Sequence, residues 1–344
     1  MTAREKSNVQ SIVEMLGKNY SSHIGTIVDV HKVMGLEINS SNLRVEGTIG
    51  SLVIKILDDQ DSANFDTCTL IYAHIKSLGL PGPQILGGNR GELLGRPFIV
   101  MDYIPGYYFS GSKLHLSLVG SAIRDFHQGF SACKALTFPE LPALQSNSNH
   151  ILTEFISTNE EWDLKFGSDL AFILRKNIDL LIDTEARCSA SLSTLLSADR
   201  ANLHIDLHPH NIIVGASKAT IIDIDSLKNV AWPSALGFCF YKLARQVMAV
   251  HGVEETDYSE LRIFFETIVS GFGISEKRIN LCFIGGLTEI LRRILIILEG
   301  NSGAQVSPWN QVLEIQIQAI SEMHFLYERV FGYSANQIDE GVIY

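Results

Sequence analysis

The 344-residue chain has little cysteine, little positive charge and no long apolar run. Its five cysteines, Cys68, Cys133, Cys188, Cys239 and Cys282, are scattered, with no Cys-x-x-Cys pair. That argues against a cysteine zinc site and a disulfide framework, and scattered thiols suit a reducing compartment. Lysine and arginine number 27 against 38 acidic residues, a formal net charge of −11. A chain so short of cations is not a general nucleic-acid binder, because binding requires phosphates to be neutralised. Polar or cationic small ligands are compatible with that charge. The most apolar late stretch, Ile294–Leu298, follows Arg292 and Arg293 and is far too short to cross a bilayer. Met1–Asn8 is polar and no apolar segment follows it, so the expectation is no signal peptide, no membrane partner and a cytoplasmic protein. The sequence leaves the oligomeric state open.

With 46% hydrophobic and 19% charged residues, a sizeable core is expected, and the length suits two domains or one bilobal unit. Val9–Leu16 has helical spacing. Thr26–Met34, Leu43–Thr48 and Ser51–Leu57 read as three strands of a meander, the last two a tight hairpin. Asp61–Leu78 reads as a helix ended by Gly79-Leu80-Pro81-Gly82-Pro83. Gln84–Leu86 and Pro97–Met101 are two more strands. Asp102–Gly106 is the linker, since Pro105-Gly106 stops the sheet. Residues 1–102 then form a β-rich lobe, 103–106 a hinge, and 107–344 a mainly helical lobe. Helices are expected at Leu116–Phe126, Ile151–Ile156, Leu170–Ile182, Tyr241–Val250, Leu261–Val269, Leu281–Leu298 and Val312–Val330. One island interrupts them: Leu203–Val214, then Ala219–Asp225, rich in His and Asp and flanked by short β-like runs.

The island reads His204-Ile205-Asp206-Leu207-His208-Pro209-His210-Asn211, and later Ile222-Asp223-Ile224-Asp225. Phosphoryl transfer needs the nucleotide charge held by a hard cation and the acceptor hydroxyl held in line. An Asp on a rigid loop can take the hydroxyl proton, and an Asn and a second Asp beyond a hairpin can ligate the cation. The alternate His204, Asp206, His208 and His210 could instead be transition-metal ligands on one strand face, a rival that Pro209 weakens.

The island resembles the catalytic segment of the aminoglycoside phosphotransferase and choline kinase-like family, of protein-kinase-like fold. Ile205 stands where that family usually has glycine. The resemblance extends upstream. Leu52–Leu57 is similar to the strand carrying the nucleotide-binding lysine, here Lys55, and Gly35–Asn42 takes the place of the glycine-rich turn. Pro97–Gly106 (PFIVMDYIPG) is similar to the family's hinge, and Leu118–His127 to the helix after it.

The resemblance implies an α+β bilobed fold, with a small antiparallel β lobe holding one helix and a larger, mainly helical lobe. It implies an ATP-dependent phosphotransferase, with GTP left open, that uses Mg²⁺ and phosphorylates a hydroxyl of a small polar acceptor. Aminoglycosides, sugars and amino alcohols are candidate acceptors. Asp206 would be the catalytic base, and Asn211, Asp223 and Asp225 would hold the metal. Lys55, Ser41 and Asn42 would serve the phosphates. Met101 and backbone groups near Asp102 and Tyr103 would serve the adenine. His204 would orient the loop backbone and His127 would be a packing residue.

Two positions depart from the family pattern. The carboxylate expected to pair with Lys55 falls near Cys68, leaving either Asp66 after a register shift or no carboxylate. Lys242 stands in Tyr241-Lys242-Leu243-Ala244 where an aspartate usually braces the catalytic loop. A nucleotide-binding pseudokinase and a protein kinase are the alternative readings. The short stretch Asp225–Pro233 leaves no room for the latter's activation segment. Acidic residues such as Glu160, Glu161, Asp163, Glu254, Glu255 and Asp257 are candidates for attracting a cationic acceptor.

Overall fold

The computed structural model describes residues 12–33, 41–57, 65–93, 96–131, 161–273, 275–300 and 309–332. In chain order the elements begin with a helix at residues 12–19 (α1) and the short Ser21–Ile24 (α2). Strands Ile27–Val33 (β1), Ser41–Gly47 (β2) and Ser51–Ile56 (β3) precede Phe65–Ser77 (α3). Ile85–Leu93 (β4), Arg96–Asp102 (β5) and Tyr107–Tyr108 (β6) lead into Leu116–Ser131 (α4). Trp162–Phe166 (α5), Ser168–Lys176 (α6) and Ile178–Leu196 (α7) come next. Then follow Arg200–His204 (β7), Ile212–Val214 (β8), Ala219–Ile221 (β9) and Leu227–Ala231 (β10). Trp232–His251 (α8), Tyr258–Val269 (α9), Glu276–Gly300 (α10) and Asn310–Phe331 (α11) complete the chain. The expected helix at Ile151–Ile156 and the Gly35–Ser40 part of the turn lie outside the described residues.

The chain divides into two compact units. Met1–Tyr107 joins Gly215–Asp225, and Tyr108–Val214 joins Ser226–Tyr344. The first unit is built on an antiparallel five-stranded sheet of order β1-β2-β3-β5-β4. The register sets Asn42 opposite Lys55, Lys55 opposite Ile99, and Val53 opposite Met101. Since side chains alternate along a strand, Asn42, Lys55 and Met101 share one face. The other face carries Val45, Leu52, Ile54, Ile56, Phe98 and Val100, which pack with Ile12, Leu16, Tyr20 and Ile24 of the N-terminal helices into the core.

In the second unit, β7 pairs antiparallel with β10, and α8 lies against α10. That approach depends on Gly237, where an added Cβ would stand 1.9 Å from the Cys282 carbonyl oxygen. The aromatic core gathers Phe240, Phe265, Phe283, Tyr327 and Phe331, with ring centroids 4.9–6.3 Å apart where they meet. Helix α8 starts at Trp232, well before the Tyr241–Val250 that apolar spacing predicts. It is buried almost all round from Trp232 to Leu243, so periodicity carries no signal there. The single helix expected over Leu170–Ile182 is two, interrupted at Asn177, whose side-chain amide donates to the Ile173 carbonyl at 2.8 Å.

Candidate active site

The second unit contains the loop that follows β7. Pairing of His204 with Leu227 anchors the strand end, and the Ile205 N–H donates to the Ser226 carbonyl at 3.2 Å. His204 is fully buried, and its Nδ1 accepts the Asp206 N–H at 3.2 Å. The His204 N–H in turn donates to Nε2 of buried His127 at 3.4 Å. So His204 does orient the loop backbone, and His127 accepts a hydrogen bond as well as packing. The Asn211 amide donates to the Asp206 carbonyl at 2.9 Å, which closes the loop and turns its Oδ1 away from that contact. His208 caps the Pro209–Asn211 turn, its Nδ1 accepting the His210 N–H at 3.3 Å, while the His210 ring meets Tyr108 edge-on.

Asp206 presents a carboxylate held by two cations. Its Oδ1 accepts from Lys242 Nζ at 2.7 Å and from Arg293 Nη2 at 3.0 Å. Burial pushes the Asp206 carboxyl up, but Lys242 and Arg293 outweigh burial and hold it below the usual carboxylate range. His208 Nε2 lies 3.8 Å from Oδ2, and burial with Lys242 lowers His208 to about 4, so that imidazole is neutral at pH 7. Among the described residues the two hydrogen bonds to this carboxylate both fall on Oδ1. Behind Arg293 stands Glu289, 4% exposed, which takes Arg293 Nε at 3.0 Å and Arg292 Nη2 at 2.6 Å. The Phe238 ring lies under both Lys242 and Arg293, at 4.7 and 4.5 Å.

The first unit contains Lys55, 6% exposed, with its ammonium paired to both Asp223 and Asp225. Burial opposes the charge, but the two carboxylates prevail and raise Lys55 well above its ordinary value. The carboxylate partners are thus Asp223 and Asp225, and Asp66, the candidate from sequence, sits exposed near the start of α3. Among the described residues Asp223 is the one non-glycine with positive φ, at 58°, a conformation Asp tolerates better than most residues. Asp225 Oδ1 is buried with no hydrogen-bond partner among the described residues. So is Asn42 Oδ1, on the Lys55 face of the sheet.

Other sequence candidates are placed less simply. Ser41 opens β2 opposite Ile56 and its side chain is outside the described residues. Met101 is buried on β5, on the Lys55 face. The Asp102 N–H donates to the Gln84 carbonyl at 3.0 Å and the Tyr103 N–H to the Ser51 carbonyl at 3.3 Å. Both donors are committed to the sheet, so neither N–H is available to an adenine. The Asp102 side chain accepts the Gln84 N–H, and the Tyr103 ring carries Arg44 at 4.1 Å.

Residues 33–229, more than half of the chain, match the model of the phosphotransferase enzyme family. The chain belongs to that family. No curated protein matches it. Among solved structures it is similar to a spectinomycin phosphotransferase complexed with ADP and spectinomycin, at TM-score 0.62 and 17% identity over 94% of this chain and 97% of that one. A choline kinase from Cryptosporidium parvum Iowa II gives TM-score 0.59 and 11% identity over 97% and 98%. An aminoglycoside 2'-phosphotransferase in complex with GDP gives 0.60 and 12% over 92% and 98%. These neighbours share the bilobed protein-kinase-like fold.

Within this phosphotransferase fold the protein-kinase alternative finds no activation segment. After Asp225 the chain enters β10 at Leu227, pairs with β7, and starts α8 at Trp232. The transition-metal alternative also finds no support: among the described residues no group of three or more His, Cys, Asp or Glu side chains could hold a metal ion. No described helix is long and apolar enough to cross a membrane. Sequence reasoning missed Glu289, Arg292 and Arg293 as site residues. Their signal was present, as the three charges of the otherwise uncharged stretch Leu281–Leu298.

Proposed function

We propose that the protein is a nucleotide-dependent kinase of small hydroxyl compounds, with ATP as donor and Asp206 as the group that receives the acceptor proton. The observation that carries this reading is the Lys55–Asp223–Asp225 cluster in a chain of the phosphotransferase family. Its buried Asp225 Oδ1 has no partner among the described residues, and Asp223 holds a strained left-handed backbone. Two carboxylates are the hard oxygen donors that Mg²⁺ takes beside phosphate oxygens. Asp223 and Asp225 would hold Mg²⁺, whose chemistry is to neutralise phosphate charge, and Asn211 is the further candidate ligand. Lys55 adds a positive charge for the phosphates.

In the transfer, the acceptor hydroxyl oxygen bonds to the γ-phosphorus. The bond from that phosphorus to the bridging oxygen breaks, ADP leaves with its electron pair, and the hydroxyl proton passes to Asp206 Oδ2. A carboxylate held so firmly ionised is a weak base. It acts first by orienting the hydroxyl and accepts the proton late, as a loose transition state allows.

The test is a thermal-shift series with ATP, GTP and Mg²⁺ on wild type and Asp223→Ala. A ligand that binds only the folded state must raise Tm. The expected result is a Mg²⁺-dependent shift with ATP that Asp223→Ala loses. No shift with any nucleotide sinks the reading. Asp206→Ala should cut turnover by at least 10²-fold with nucleotide binding retained, the loss general-base removal produces. Equal loss of turnover and nucleotide binding would remove Asp206 from that role.

A further inference from the structure

We infer that the acceptor is an anionic hydroxy compound, one that carries a carboxylate or phosphate group beside the hydroxyl that is phosphorylated. This inference rests on the phosphotransferase reading and names its substrate class.

The charges around Asp206 point this way. An aspartate in water is ionised at neutral pH, and burial of Asp206 calls for a countercharge to keep it so. Here two cations reach the same Oδ1, Lys242 at 2.7 Å and Arg293 at 3.0 Å, and Arg292 stands beside them on Glu289. Three cations face two carboxylates, Asp206 and Glu289, leaving an excess of one positive charge. These cations are not spent on packing alone. The side chains of Lys242, Arg292 and Arg293 remain 21–24% exposed, as does 31% of Asp206. Glu289 is almost wholly buried, and it fixes both guanidinium groups from behind.

An acceptor whose hydroxyl meets Oδ2 must therefore bring its other groups within a few ångströms of Lys242 and Arg293. An ammonium there is repelled by both, and a carboxylate or phosphate gains charge-assisted hydrogen bonds. Of the acidic candidates for drawing a cationic acceptor, Glu160 lies outside the described residues and two others are engaged elsewhere. Asp163 is held by Arg175 at 2.5 Å, and Asp257 caps α9 through the Ser259 and Glu260 N–H groups. Choline and ethanolamine, the acceptors of cationic type, would meet the wrong charge.

The test uses acceptor trios matched in skeleton: a neutral polyol, its amine, and its acid, with the acid supplied both as carboxylate and as phosphate monoester. Binding is read by Tm shift without nucleotide, and turnover by ADP release with Mg²⁺-ATP. The expected result is at least tenfold tighter binding of an acid than of its neutral partner, with the amine weakest. The two acid arms tell which anion is recognised. Arg293→Gln should raise KM for the acid tenfold or more and erase the preference, and Arg293→Lys should keep most of it. Lys242→Gln should act in the same direction, which guards against misfolding of one variant.

Amines bound as well as acids would overturn the inference, as would no Tm shift with any acid. A kcat loss in Arg293→Gln that is equal for all acceptors, with preference intact, would also overturn it, because the cations would then serve the transferred phosphoryl group. Absence of ADP release with every acceptor and of any nucleotide shift would instead sink the phosphotransferase reading, while the nucleotide-free binding order still decides the charge of the ligand.

Discussion

At the residue scale, the structure holds two ion clusters of opposite excess. Lys55 faces two carboxylates, and Asp206 faces two cations. Replacing Lys55 by Met leaves Asp223 and Asp225 side by side without the Lys55 charge. Breaking a buried pair from one side costs several kcal/mol, and because both carboxylates are about a third exposed, we expect about 1–3 kcal/mol here. Added Mg²⁺ should replace the missing charge, so its effect on Tm should be larger in Lys55→Met than in wild type. An equal or smaller Mg²⁺ response would mean that the carboxylates are not a cation site. The members of the first cluster were legible in sequence, because Lys55 stands alone among apolar strand neighbours and the Asp223-Ile224-Asp225 pattern is compact. Their mutual pairing was not, since 168 residues separate Lys55 from Asp223. The second cluster was legible only at Asp206. Lys242 stood out as a departure from pattern, but nothing local says that it reaches back 36 residues to the carboxylate, or that Arg293 does so over 87.

At the element scale, the approach of α8 to α10 positions those cations. Gly237 lies five residues before Lys242, and Gly285 and Gly286 lie one to two turns before Glu289 and Arg293. The backbones meet there: added Cβ atoms would stand 1.9 Å from the Cys282 carbonyl oxygen at Gly237 and 2.7 Å from Pro233 and Ser234 backbone atoms at Gly285. Gly237→Ala therefore cannot be absorbed by a rotamer change. It should push the helices apart, cost about 1–3 kcal/mol as overpacking does, and lower acceptor kcat/KM at temperatures where the variant is still folded. Gly17→Ala in α1, with open space around it, should be neutral or stabilising by up to about 1 kcal/mol. Unchanged acceptor kinetics in folded Gly237→Ala would separate the helix contact from the site. Elements with one buried face were readable from period, as in the β2–β3 hairpin, α4 and α9. Those buried on several sides, such as α8, carry no period, and their ends are set by tertiary contacts that a window of sequence does not contain.

At the scale of the whole molecule, the response to acid follows from histidines that fold in neutral form. Burial lowers His127 to about 3, with His204 adding to the effect, and lowers His208 to about 4 and His324 in the same direction. A histidine depressed in the folded state binds its proton more readily when unfolded. Stability is therefore greatest above the unfolded value near 6.5 and falls as pH drops toward the folded value. For His127, fully buried, the fall is about 1.4 kcal/mol by pH 5.5 and steepens to about that amount per further pH unit. The depressed Asp206 carboxyl acts in a separate and lower window: its contribution is present above the unfolded carboxylate value, near 3.9, and is lost below it. The net charge of −11 works against the histidines, because acid relieves self-repulsion as the chain approaches its isoelectric point near 5.5. The two effects are separable. Trp162, Trp232 and Trp309 all belong to the unit that holds His127, so urea unfolding followed by tryptophan fluorescence reports that unit. Wild type should lose stability between pH 7.5 and pH 5.5. His127→Gln, which keeps an acceptor for the His204 N–H and cannot titrate, should lose about 1.4 kcal/mol less over the same interval. If the two proteins instead show the same pH slope, His127 is not the group that titrates on unfolding, and acid sensitivity must lie with His208 and His324.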